Sequence, residues 1–267
     1  MIRALWTSAS GMQAQQTNLD VVSNNIANVN TVGYKKSQAS FEDLMYQDLR
    51  DPGVLSSSEN RVPSGIQVGL GVKLSEVTKM FAQGSLKKTD RDLDVAIQGD
   101  GFFQIEMPSG SNVYTRAGNF QVDNEGYVVT TEGYRLSPNV QVSSPETLVS
   151  LSISPNGKVV ATRNEGGAQT TEELTDIKLY RFMNPSGLKP LGQNLFAYTV
   201  EGSGEPIEGD PNNDGFGKLS QGFLEMSNVN VVDEMINLIT AQRAYEINSK
   251  SITTADEMLR TVSTLKS

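Results

Sequence analysis

Residues 1–30 read MIRALWTSASGMQAQQTNLDVVSNNIANVN, and the spacing of their apolar side chains decides the fold. Leu5, Met12, Leu19 and Ile26 recur every seven residues, with Ile2 and Ala9 at intervening positions. A seven-residue apolar repeat is the pattern of a helix that packs along another helix. The same interval returns at the far end of the chain in Val231, Leu238, Tyr245, Ile252 and Leu259, widened by Met235, Ala255 and Val262. At about 1.5 Å per residue, each segment predicts a helix roughly 40–50 Å long. Asn30, Thr31 and Gly33 end the first, with Gly33 a candidate left-handed residue beyond it. Asn230 opens the last, and Asp233 stands where a capping box has Glu or Gln. Gly11 weakens the first helix by about 1 kcal/mol relative to Ala.

Between the two ends the period changes to two. Phe120 to Val129 reads as a hairpin turning around Asp123–Gly126, and Ser152 to Val160 as another with Asn156-Gly157 in its turn. Further strands are expected at 94–98, 101–106, 177–182 and 195–200. Tyr46 to Gly71 is rich in Ser, Gly and Pro and reads as an extended arm. The expected architecture is mixed α and β. The N-terminal helix (1–30) and C-terminal helix (227–267) pack as a coiled coil, with an extended arm or linker (31–75) and an inserted β-rich domain (76–226).

Bulk composition narrows the function. The 267 residues are 37% hydrophobic and 7% aromatic, lean for a compact globule, so part of the burial is expected against neighbours. A net charge of −9 disfavours nucleic acid or an anionic membrane as partner. No stretch reaches the roughly 18 apolar residues of a spanning helix, and the first residues lack the apolar run of a cleaved signal. The chain has neither cysteine nor histidine. That excludes disulfides, thiolate nucleophiles, Cys-ligated metals, Ser-His-Asp triads and imidazole proton shuttles. Catalysis would have to rest on carboxylates, Lys, Tyr or a carboxylate-bound metal.

Two clusters could carry such chemistry. Asp210-Pro-Asn212-Asn-Asp214-Gly215 matches the first six positions of a calcium loop, but position nine is Lys218 and position twelve is Gln221. A polar surface turn is the ordinary reading. Asp90, Asp92 and Asp94 alternate before Val95-Ala96-Ile97 and read as a solvated strand entry relieved by Arg91, Lys87 and Lys88. Gly69-Leu-Gly71 and Gly99-Asp-Gly101 lack the remainder of any phosphate loop and read as turn glycines. An apolar helix face usually lines the core of its own domain. Chain ends, however, are disordered unless something ties them down, so these stripes are expected to order against other subunits.

Particular motifs sharpen the reading. Ser8-Ala-Ser-Gly-Met12, Leu19-Asp-Val-Val-Ser-Asn-Asn-Ile-Ala-Asn-Val-Asn-Thr31 and Gly33-Tyr-Lys35 stand near one end. Ser227-Asn-Val-Asn230 and Ala241-Gln-Arg-Ala-Tyr-Glu-Ile-Asn-Ser-Lys250 stand near the other. Between them lie Asp94-Val-Ala-Ile97, Gly101-Phe-Phe103, Thr115-Arg-Ala-Gly-Asn-Phe120 and Phe182-Met-Asn-Pro-Ser-Gly-Leu188. In these motifs, spread over nearly the whole chain, the sequence resembles the flagellar axial family, the rod and hook proteins. The Tyr46–Gly71 arm, with Asp51-Pro-Gly and Val62-Pro-Ser-Gly65, is similar to a stretch of the straight, stiff distal part of the rod. The hook and the proximal rod are the alternatives within that family.

The resemblance implies a structural subunit without cofactor or metal that polymerises as a helical tube around an export channel and transmits torque. It implies as partners further copies, other rod proteins, the hook protein, the surrounding bushing rings and the type III export apparatus, with no nucleic acid and no membrane insertion. It places the protein in the periplasmic part of the basal body, exported without a cleaved signal. The expected packing residues are Leu5, Met12, Leu19, Ile26, Val231, Leu238, Tyr245, Ile252 and Leu259. The amides of Asn24, Asn25 and Asn28 are expected to bond backbone where the first helix turns into the arm. A carboxylate-dependent glycan hydrolase and a free-standing adhesion module are the rival classes.

Overall fold

The computed structural model describes residues 2–52, 63–108, 110–142, 148–165 and 168–266. The chain divides into a helical unit (Met1–Ala27, Ser37–Thr78 and Asn230–Ser267) and a β unit (Asn28–Lys36 and Lys79–Val229).

Helix α1 spans Ile2–Ala27 and helix α2 spans Val231–Lys266. α2 runs 36 residues without Gly or Pro, so nothing in its interior breaks the backbone ladder. The side-chain oxygen of Asn230 accepts the Val232 N–H at 3.1 Å and satisfies a donor that the first turn would leave open. Gly33 has φ +69, the left-handed geometry expected of it.

The two helices run antiparallel in one register. Asn25 meets Glu234 at 3.1 Å, a Cβ on Gly11 would lie 2.8 Å from the Asn248 amide, and Ser8 meets Ser251 at 3.2 Å. Side chains along this seam are mostly small or polar: Ser8, Ala14, Val22 and Asn25 are buried from α1, and Glu234, Ala241 and Ala255 from α2. Small residues allow close approach of the two backbones, which pushes large apolar side chains to the flanks.

Ser37–Asp43 pairs with Val72–Lys79, and Tyr46–Arg50 with Ile66–Gly69, antiparallel. The segment read as an extended arm thus begins and ends in paired ribbons, and 53–62 lie outside the described residues. Backbone pairing supplies what its Ser- and Gly-rich composition hides. Every side chain of Tyr46–Arg50 is exposed.

The β unit is built on a seven-stranded sheet. Its order is Lys189–Gly192, Leu195–Ala197, Asn112–Thr115, Phe103–Glu106, Arg135–Ser137, Val128–Val129 and Gln121–Val122. Leu148–Ile153, Val159–Glu165 and Ala168–Glu173 form a second sheet. Both expected hairpins are present, with Gly126 at φ +83 and Gly157 at φ +89 in their turns. Strands at Val95–Gln98, Phe103–Glu106, Leu179–Arg181 and Leu195–Ala197 fall within the expected stretches. Successive side chains of a strand point to opposite faces, and here both faces are covered. Phe103, Ile105 and Val113 enter the main hydrophobic core with Ile97, Phe120 and Leu136. Phe102 and Tyr114, adjacent in sequence to members of that set, enter an aromatic cluster with Tyr180, Phe182 and Phe196.

Candidate assembly surface and ionic clasp

Each of the nine expected packing residues keeps some exposure. Leu5, Met12, Leu19, Ile26, Leu238, Ile252 and Leu259 are half-buried, whereas Val231 and Tyr245 are each 39% exposed. They flank the polar seam rather than fill it. The periodicity also concealed a second apolar set on α2. Val232, Ile236, Ile239 and Ile247 fall on the side of the helix turned away from Glu234, Ala241, Asn248 and Ala255. They are 63%, 54%, 53% and 68% exposed. On α1, Trp6 is 72% exposed. A helix with apolar residues on two opposite faces calls for two neighbours, and α1 covers only one face.

At the end of the seam, Asn25 acts as a clip. Its amide nitrogen donates to Ser37 O at 2.8 Å, and its amide oxygen accepts the Ser37 N–H at 2.9 Å. The backbone bonding expected of the amides in this segment is realised at Asn25, which also donates to the buried Glu234 carboxylate.

Sequence reasoning did not anticipate a clasp in the β unit. Glu225, buried to 1% exposure, accepts from the Lys35 ammonium at 2.6 Å and from the Gly84 N–H at 2.9 Å. The guanidinium of Arg116 stands 3.5 Å from the other carboxylate oxygen and donates to Gly99 O at 2.9 Å. Lys35 also donates to Ala82 O at 2.9 Å. Burial holds the Lys35 ammonium below the usual lysine range, opposed by the Glu225 charge and reinforced by that of Arg116. Burial likewise lowers Arg116, against the pull of Glu225 and Asp100. Three residues further on, the Asn228 side chain accepts the Lys36 N–H at 2.8 Å and donates to Met80 O and Ala82 O. A Cβ on Gly84 would come within 1.9 Å of Met226 O, so these strands approach as closely as glycine permits.

The two clusters weighed from sequence lie elsewhere. The Asp210 loop closes on itself through Asn213 N–H to Asp210 O and Asn212 N–H to Gly217 O, with Asn212 and Asp214 in left-handed geometry. Among the described residues no group of three or more Asp or Glu side chains is arranged to hold a metal ion. Asp90 and Asp92 are exposed, but Asp94 is 1% exposed, not solvated as expected. Its position leading directly into the fully buried Val95–Ile97 run carries it inside, with Arg91 Nε 4.0 Å away.

Comparisons with known proteins agree with this architecture. The chain matches the flagellar hook protein FlgE/F/G D1 domain over residues 96–161. It also matches the flagellar basal body rod FlgEFG protein C-terminal family over 220–265 and the flagella basal body rod protein family over 5–35. It therefore belongs to the flagellar rod and hook family. Within that family its similarity is to FlgG, a flagellar basal-body rod protein. It is 47% identical over 265 residues to FlgG of Buchnera aphidicola (Schizaphis graminum), covering 99% of this chain and 100% of the relative. It is 46% identical to FlgG of Borreliella burgdorferi, covering 100% of this chain and 99% of the relative. A solved Helicobacter pylori flagellar hook protein, FlgE2, aligns at 15% identity over 72% of this chain and 43% of that one, with a TM-score of 0.24, too low to argue from.

Proposed function

We infer that the chain is a structural subunit of the distal part of the bacterial flagellar rod, and not an enzyme. Copies polymerise into a helical tube that encloses an export channel and transmits torque to the hook. The observation that carries this reading is the second apolar face of α2. Burying its four exposed residues, Val232, Ile236, Ile239 and Ile247, gains about 1.5–3 kcal/mol apiece in gross terms. Association itself costs roughly 4–15 kcal/mol, so a single such contact is marginal. A lattice in which each subunit makes several contacts overcomes that cost. Because an outward face of one subunit meets a different face of the next, the contacts do not close, and they generate a filament.

Leu5, Met12, Leu19, Ile26, Val231, Leu238, Tyr245, Ile252 and Leu259 flank the α1–α2 seam and complete coiled-coil packing with neighbouring helices. The ribbons between Tyr46 and Gly71 brace adjacent subunits. The partners are further copies, other rod proteins and the hook protein, with bushing rings around the shaft. The subunit reaches the periplasm through the type III export apparatus.

A purified Ile236→Glu, Ile247→Glu double variant tests this by sedimentation and electron microscopy. The expected result is a folded subunit, judged by circular dichroism, that forms no tubes. Tubes of normal length and abundance would refute the assignment of this face.

A further inference from the structure

The geometry points to Lys35, Arg116 and Glu225 as an ionic latch, two cations on one carboxylate, that ties the first segment of the β unit to the end of its second. The β unit takes in the chain twice, as Asn28–Lys36 and again as Lys79–Val229. Gly33 N–H donates to Glu225 O at 2.8 Å, and Lys36 N–H donates to Asn228 at 2.8 Å, so the first segment lies beside the end of the second. Between them a single carboxylate faces two buried cations. The side chains of Lys35 and Glu225 have no exposed surface, and that of Arg116 has 3%.

The imbalance makes the carboxylate the controlling member. With Glu225 in place, the like charges of Lys35 and Arg116 are bridged. Remove its charge and two cations remain buried together, with only the Asp100 charge acting on Arg116, the most unfavourable arrangement available to this triad. Remove Lys35 instead, and one cation still faces one anion. Arg116 keeps its bond to Gly99 O and its place 5.2 Å from the Phe102 ring centre in either case. An ordinary structural salt bridge would treat the loss of either partner alike. This latch does not.

Opening is local and paired. The Gly84 N–H bonds the carboxylate directly, and the Gly33 and Lys36 N–H groups bond the strand and loop that Glu225 anchors. These three amides open to solvent together, below the threshold for unfolding the central strands.

Hydrogen exchange on the full-length chain tests this with three variants, Glu225→Gln, Lys35→Met and the double substitution. In Glu225→Gln, exchange at Gly33, Lys36 and Gly84 rises on the order of 100-fold or more, because an uncompensated buried charge is costly. Ile105 and Tyr114 in the central strands keep most of their protection. Lys35→Met leaves the three amides near the wild type. The double variant, with one buried cation instead of two, is better protected at these amides than Glu225→Gln. If Glu225→Gln fails to fold, recovery of a folded chain by adding Lys35→Met supports the latch equally. Equal effects of the two single substitutions, a double variant no better protected than Glu225→Gln, or collapse of both Glu225→Gln and the double would overturn it.

Discussion

Replacing Asn25 by Ala removes three hydrogen bonds at once from the helical unit. Two are to the Ser37 backbone, at 2.8 and 2.9 Å, and the third is to Glu234 at 3.1 Å. Neutral bonds contribute about 0.5–1.5 kcal/mol net and a bond to a charged group about 1.5–3, which sums to roughly 2.5–6 kcal/mol. The lower half of that span applies, because Ser37 is half-buried and its backbone can turn to water. Glu234, at 1% exposure, has far less access to solvent. We therefore expect a loss of about 3 kcal/mol, more than a hundredfold in the opening equilibrium, read from exchange of α1 and α2 amides near the seam. Asn25→Asp is a sharper probe. It retains the acceptor for Ser37 N–H but sets a second carboxylate against Glu234. Two carboxylates sharing a buried site raise the folded pKa of one above its unfolded value near 4. Stability of Asn25→Asp is then greatest below about pH 4 and falls as pH rises toward the raised value. A loss under about 1 kcal/mol in Asn25→Ala, or a flat pH dependence in Asn25→Asp, would refute the clip.

Gly84→Ala would put a methyl 1.9 Å from the Met226 carbonyl, a backbone atom that cannot swing aside. It should destabilise the β unit by about 1–3 kcal/mol or more, measured by urea unfolding with a tryptophan-independent probe such as circular dichroism. Burial and the Glu208 charge push the Tyr180 phenol up to about 12. Since the unfolded phenol titrates near 10, its contribution is intact below that pH and is lost between about 10 and 12. Tyr180→Phe should flatten the alkaline loss of β-unit stability over that window, and an unchanged alkaline profile would contradict the assignment.

How much was legible beforehand differs by element. The terminal helices announced themselves because a repeat of seven over several turns has no other ready meaning, and the Asn230 start and Gly33 geometry followed from local chemistry. Hairpins at Asp123–Gly126 and Asn156-Gly157 were readable for the same reason: turn residues act over four positions. The seam was not. Ser8, Gly11 and Asn248 look unremarkable in sequence, and the heptad marks the flanking residues more loudly than the small ones that touch. The outer face of α2 does have a signal, apolar residues at 232, 236, 239 and 247, but it overlaps the heptad and is masked by it. Lys35, Arg116 and Glu225 had no chance of being linked, since nothing in a chain's spacing reports on a contact made 190 residues apart. The ribbons flanking 53–62 were hidden by Gly, Ser and Pro, which describe how the backbone can bend but not what it pairs with.

The antiparallel order of the seam decides how it would fail under a pull. The chain leaves α1 just beyond Asn25 and enters α2 just before Glu234, so tension transmitted along the backbone reaches that end of the helix pair first. Parting the helices from there is a peeling motion, which tests contacts one after another instead of all at once. The amide–carboxylate bond and the double grip on Ser37 sit where peeling must begin, as a bar tack is sewn at the mouth of a zip, while the lone Ser8–Ser251 hydroxyl pair lies far along the row.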